Sequence, residues 1–185
     1  MTTLILIAAV VLLAVLAFIV IRNRIIGTRN RVDESWSDID VQLKRRHDLV
    51  PNLVETVKGY AAHERQVLES LTQARAEASK ASGPSEAGPA EARLSGALAQ
   101  VHAVAENYPQ LRASENFQQL QRDLMELEDE IQASRRIYNS NVQAYNTRIQ
   151  VFPNSIVAGL GGFDARDFLE LESPAEREPV AVSFT

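Results

Sequence analysis

Three histidines and no cysteine bound the reactive chemistry this chain could carry. Without cysteine there are no disulfides, thiolate zinc sites or cysteine nucleophiles, and the redox compartment stays open. The stretch nearest to a metal motif is His63-Glu64-Arg65-Gln66-Val67. A helical zinc site of that kind needs a second histidine four residues on, so that both imidazoles face one ion, and Val67 stands there instead. His63 therefore reads as a solvated helix residue. His47-Asp48 has the residue types of a general base and its orienter, yet adjacent helix positions do not face each other and no nucleophile is implied nearby. Nothing in the sequence brings His47, His63 and His102 together. Asp33, Glu34, Asp38 and Asp40 crowd beside Lys44-Arg45-Arg46. A divalent-cation site could be drawn there, but the simpler pattern is a charged helix face with i,i+4 pairs such as Asp40–Lys44. Gly159-Leu160-Gly161-Gly162 lacks the Lys-Ser/Thr and the preceding strand of a phosphate loop, and reads as a turn. The expectation is a protein that is not an enzyme, with no catalytic residue, metal, cofactor or small-molecule substrate.

Composition agrees with an architectural reading. In 185 residues, charged side chains make up 23% and the net charge is −5, which argues against the strongly basic footprint of a nucleic-acid binder. Aromatics are few, at 6%, and Ala, Leu, Gln, Glu and Arg are plentiful, which favours helices over sheets. Leu4 to Ile21 is eighteen residues without a charge or strong polar group. As a helix it spans about 27 Å, close to the hydrocarbon thickness of a bilayer. Met1-Thr2-Thr3 carries no basic side chain and no small-x-small site precedes Arg22, so an uncleaved anchor is expected rather than a signal peptide. Arg22, Arg24, Arg29 and Arg31 flank its C-terminal side. The positive-inside rule then places the N-terminus outside the membrane and the bulk of the chain in the cytoplasm. The same arginines could grip anionic headgroups at ~1 kcal/mol each.

The elements that follow are helices with 3-4 apolar spacing. Trp36, Leu43, Val50, Val57 and Leu71 form one row of sevens, and Ile39, Leu53, Tyr60, Val67 and Ala74 the other. Arg46 and Glu64 interrupt this seam. The register runs through Pro51, so one kinked but continuous helix is expected there rather than a loop, its pattern thinning into alanines after Ala74. Ser82 to Pro89, with two Gly-Pro pairs, reads as the linker. A second helix from about Glu91 carries Leu94, Ala97, Val101, Val104, Tyr108 and Leu111, with a break between Pro109 and Ser114. Ser114 is a plausible N-cap for a third helix bearing Phe117, Leu120, Leu124, Leu127, Ile131, Ser134, Tyr138, Asn141, Tyr145 and Arg148. Phe152-Pro153 stops it. Asn154 to Leu160 is read as a short helix ended by Gly161-Gly162, Asp164 to Leu171 as a further turn or two, and the chain from Pro174 as a disordered tail. The expected fold is all-α: a transmembrane helix, then an elongated antiparallel bundle of three long helices plus one or two short ones. Residues 1–27 are the anchor and its basic flank, 28–160 the cytoplasmic bundle, and 161–185 a tail, partly extended or disordered.

Candidate interaction residues lie on the seams. Tyr138-Asn139 and Tyr145-Asn146 stand seven apart on one helical face, either as buried tyrosines with polar tips or as a patch for another helix. Trp36 is likewise a seam residue or a partner anchor. Because the seams are thin, a protein partner or a second copy is expected to cover the remaining stripe, with lipid around the anchor.

The residues from Arg29 to Glu69, RNRVDESWSDIDVQLKRRHDLVPNLVETVKGYAAHERQVLE, resemble the signature region of the LemA family of bacterial membrane proteins. Tyr108-Pro109-Gln110-Leu111, Arg136-Ile137-Tyr138-Asn139, Tyr145-Asn146 and Phe152-Pro153 are similar to its second half. Where the family often has Tyr-Asn after the membrane run, this chain has Arg22-Asn23. The resemblance implies a single-pass protein with a cytoplasmic antiparallel helical domain, and brings no catalytic residue or cofactor. The reading that follows is a non-enzymatic scaffold or adaptor of the cell envelope. Its alternatives are an accessory factor of a membrane protease, suggested by the family's neighbourhood with zinc proteases of the HtpX type, and a self-assembling membrane-shaping protein.

Overall fold

A computed structural model describes residues 1–170. All regular structure among them is α-helical, in six helices: α1 (Thr2–Lys58), α2 (Arg65–Ala78), α3 (Pro84–Glu106), α4 (Pro109–Arg112), α5 (Glu115–Gln150) and α6 (Asn154–Gly161). They fall into two compact units, one of Met1–Asp38 with Arg136–Asp167 and the other of Ile39–Arg135 with residues 168–170. Helices α1 and α5 each run unbroken from one unit into the other.

In the first unit, α1 opens with a stretch long and apolar enough to cross a membrane, none of it buried within the structure. Further along, Ile25, Thr28, Val32 and Ser35 are buried at 3-4 spacing, as are Tyr138, Val142, Tyr145 and Ile149 of α5. The two rows meet. Trp36 packs on Tyr138 with ring centroids 5.7 Å apart, and Asn141 Nδ2 donates to Ser35 Oγ at 3.3 Å. Arg148 Nη1 donates to Thr28 Oγ1 and, at 3.2 Å, to the Arg24 carbonyl. After the cis Phe152-Pro153 bond, α6 buries Val157 and Ala158 and ends on Gly162, whose φ of 64° is the left-handed cap conformation glycine adopts without a Cβ penalty.

The second unit is built on Val50, Leu53, Val57, Leu71, Leu94, Val101, Leu111 and Phe117, among others, in one apolar core. Pro51 sits inside α1 as expected. Its missing N–H leaves the His47 carbonyl, four residues back, without its helical donor. Arg75 Nε of α2 donates to that oxygen at 2.6 Å. This contact fills the vacancy and lets the helix run on.

Three expectations are corrected here. The first helix ends at Lys58 rather than near Ala74, and residues 59–64 form turns held by Ala61 N to Val57 O at 2.8 Å and Glu64 N to Ala61 O at 3.1 Å. That break shifts the register, so Leu68 is buried and Tyr60 is exposed. The linker is shorter than Ser82 to Pro89, because α3 starts at Pro84. Proline at the first helical position loses nothing, since that N–H has no helical acceptor. Ala87, Gly88 and Ala90 are then buried, and a Cβ on Gly88 would lie 2.2 Å from the Glu170 carbonyl oxygen, so only glycine lets the backbones approach this closely. Finally, residues 164–170 form no helical turn. Their backbone polar groups are taken up by side chains instead, as described below. The tail expected from Pro174 lies outside the described residues.

Candidate functional site

The second unit holds a buried polar cluster that sequence spacing only half revealed. Glu91 of α3, with 1% of its side chain exposed, faces two consecutive residues of α1. His47 Nε2 lies 2.5 Å from its Oε1, and Arg46 Nη1 lies 3.5 Å from its Oε2. Arg46 also donates to Ser95 Oγ at 2.7 Å and pairs with Glu128 of α5 at 3.2 Å. The cluster therefore ties α1, α3 and α5 together through one guanidinium. Burying these charges carries a desolvation cost that mutual pairing offsets. The histidine and carboxylate have the chemistry of a base and its orienter. Ser95 Oγ, however, accepts from Arg46, and the group is closed by side chains rather than opened to a substrate. Among the described residues no group of three or more His, Cys, Asp or Glu side chains could hold a metal ion. Nearby, an open groove of about 630 Å³ is lined by Val54, Lys58, Arg65, Leu68 and Thr72 of α1 and α2.

In the first unit, the paired Tyr-Asn residues of α5 hold the chain's own returning segment. Tyr138 donates its hydroxyl to the Asp167 carbonyl at 2.8 Å and Tyr145 to the Asp164 carbonyl at 3.0 Å. Asn146 donates to the Arg166 carbonyl and accepts from the Arg166 N–H, each at 2.9 Å. Arg166 reaches Asp33 at 2.9 Å. Burial pushes the Tyr138 hydroxyl up to about 12, against the opposing pull of Arg166 and with smaller upward contributions from Asp167 and Asp33. Burial likewise raises Tyr145.

The LemA family matches this chain over residues 35–184. The chain belongs to the LemA family. Among its relatives, Magnetosome protein MamQ 1 of Paramagnetospirillum magneticum is 25% identical over 170 residues, covering 78% of this chain and 62% of that protein. Magnetosome protein MamQ of Magnetospirillum gryphiswaldense matches to the same extent, 25% over 170 residues. Protein LemA of Metamycoplasma hominis is 28% identical over 141 residues, covering 74% of this chain and 63% of its own length. The chain thus spans a little under two thirds of the length of these curated relatives.

In this LemA-family chain the sequence candidates are placed as follows. Tyr138 and Tyr145 are buried, and together with Asn146 they hold residues 164–167, while Asn139 is half-buried. Trp36 is half-buried against Tyr138. Arg22, Arg24 and Arg31 are exposed, whereas Arg29 is half-buried, with its guanidinium 5.7 Å from the Phe163 ring centroid and its Nε buried without an acceptor. His63 lies exposed in the turn after α1, and exposed His102 meets Gln121 at 2.9 Å. Asp40–Lys44 forms the expected i,i+4 pair at 2.5 Å. His47 pairs across 44 residues with Glu91, not with Asp48. A signal for this existed: Glu91 stands three residues before Leu94, on the second helix's own seam, as Arg46 stands on the first. The hold on residues 164–167 had no such signal, because backbone carbonyls leave no mark in sequence.

Proposed function

We propose that this LemA-family chain is a membrane-anchored, non-enzymatic helical scaffold or adaptor of the cell envelope, with its N-terminus outside and an antiparallel helical bundle in the cytoplasm. One observation carries the reading. The membrane-length apolar run and the first unit's buried seam, Ile25 to Ser35, lie on a single helix, Thr2–Lys58, so the packing of the first unit begins directly on the proposed anchor. An anchor continuous with the first unit holds that unit's surface close to the membrane, which is what a tethered scaffold needs and a soluble catalyst does not. The buried Arg46–His47–Glu91 cluster supports the same reading, because its charges are spent on holding helices together. The relatives' names agree on no reaction: two are named for the magnetosome and one for its family.

The test is photocrosslinking in cells from exposed positions such as Arg45, Arg122 and Ile137, followed by mass spectrometry of the solubilised membranes. One foreign membrane protein captured from one face, or a discrete ladder of self-crosslinks, is the expected result. A chain that crosslinks to neither, or that is recovered in the soluble fraction, would rule the scaffold out.

A further inference from the structure

The strongest unassigned feature is an exposed apolar edge at the end of the first unit. No charged residue occurs between Arg148 and Asp164. Within that span Phe152, Ile156 and Leu160 are 80%, 56% and 75% exposed, although α6 buries Val157 and Ala158 on its other side. Ile156 and Leu160 are four apart, so they share one helical face. Water-exposed apolar side chains grouped in this way call for an occupant.

The position of the edge identifies that occupant. Contacts between α1 and α5 progress in opposite chain directions: Trp36 with Tyr138, Arg31 and Ser35 with Asn141, and Arg24 and Thr28 with Arg148. Seven residues forward on α5 match seven back on α1. Four more residues, from Arg148 to Phe152, therefore bring Phe152 roughly level with Arg22, one residue past the apolar run. Asn154 Nδ2 donates to the Arg148 carbonyl at 3.1 Å, which holds the start of α6 at this level. At its far end, Phe163 lies beside Arg29. At ~1.5 Å of rise per residue, α6 thus climbs about 10 Å from the edge of the hydrocarbon, enough to cross the headgroup zone of about 5–7 Å that flanks it. Exposed Arg22 and Arg24 border the same layer, where basic side chains meet lipid phosphates.

We infer that the edge formed by Phe152, Ile156 and Leu160 is a second membrane contact, seated in the interfacial layer of the same bilayer that the first helix crosses. The inference rests on the anchor reading. The short helix and its leading phenylalanine brace the stalk against tilting, by giving the spanning helix a second apolar contact at the interface.

The absence of cysteine makes the test direct. Full-length single-cysteine variants L12C, I137C, F152C, I156C and L160C, each carrying an environment-sensitive fluorophore, are reconstituted in zwitterionic vesicles containing lipids with quenchers on their acyl chains or headgroups. Position 137 is an equally apolar control, exposed but level with residue 37 on the same progression. The expected result is strong acyl-chain quenching at 12, headgroup-weighted quenching that declines from 152 through 156 to 160, and none at 137. In the F152C background, I156E should abolish much of the quenching at 152. Quenching at 12 with positions 152 to 160 behaving like 137 would overturn the inference and leave the anchor standing. Protection from both lipid and aqueous quenchers at 152 to 160 would overturn it in favour of a protein contact. No quenching at 12 would sink the anchor and the inference together.

Discussion

Glu91 is the residue on which the second unit's polar chemistry turns, and its environment makes opposite predictions for two carboxylates bonded to one arginine. Removing the fully buried Glu91 takes the carboxylate away from His47 and leaves Arg46 with only the partly exposed Glu128. Breaking a buried pair in this way costs up to about 3–5 kcal/mol. Glu91→Ala should therefore destabilise the protein by that amount, measured by chemical denaturation in detergent. Glu128 pairs with the same Arg46 but is 38% exposed, so Glu128→Ala should cost under about 1 kcal/mol. Equal costs would show that the burial of Glu91 is not what matters. Tyr138 makes a prediction in pH. Its folded hydroxyl titrates near 12 and its unfolded one near 10.0, so the folded state holds the proton longer. The stabilisation is complete below pH 10, and is lost as pH rises from 10 towards 12. Stability over that window should fall more steeply for the native chain than for Tyr138→Phe. Parallel slopes in the two proteins would refute the assignment.

Among elements, α1 shows how a helix survives a proline in its interior. Proline both removes a donor and crowds the preceding turn, and an unmet buried carbonyl costs about 1–3 kcal/mol. Here Arg75 reaches from α2 to the His47 carbonyl that Pro51 leaves open. Arg75→Ala alone should cost within that range. In a Pro51→Ala background, where the helix makes its own bond, the same change should cost little, giving a coupling of about 1 kcal/mol or more in a double-mutant cycle. Additive effects would mean that the arginine acts elsewhere. The element boundaries divide in an instructive way. The breaks at Pro109 and Phe152-Pro153 were legible because proline punctuates locally. The end of α1 at Lys58 was not, because the apolar spacing runs on past it in sequence while the backbone turns at 59–64. The start of α3 was misplaced for the converse reason. Gly-Pro pairs signal a loop, but Pro84 is tolerated at the first helical position and Gly88 is needed beside Glu170.

For the molecule as a whole, the proposed anchor makes the prediction with the clearest threshold. Leu4 to Ile21 holds fourteen Leu, Ile, Val and Phe residues. At roughly 0.3–0.6 kcal/mol each they favour insertion by about 6 kcal/mol, whereas one mid-helix arginine opposes it by about 3. A single Leu12→Arg should leave the protein in the membrane fraction. Leu12→Arg with Leu13→Arg should bring the balance near zero and release a large part of it, read by alkaline extraction. Release by the single substitution would mean that the segment is not held across a bilayer. Retention of the double variant would point to an additional membrane contact, such as the edge around Phe152.

Sequence alone determined the helical class, the membrane-length run, the family and most core positions. Each depends on a local or periodic pattern that one strand of text carries: apolar spacing, absence of charge, a run of matching residues. Tertiary structure decided what the polar seam residues do. Arg46 and His47 meet Glu91, 45 and 44 residues away, and Tyr138, Asn146 and Tyr145 meet backbone groups of residues 164–167. The first partnership requires two seams to face each other, and the second is made to carbonyl oxygens that every residue owns. Neither leaves a periodic trace, because a hydrogen bond across a fold is set by position in space rather than by spacing along the chain.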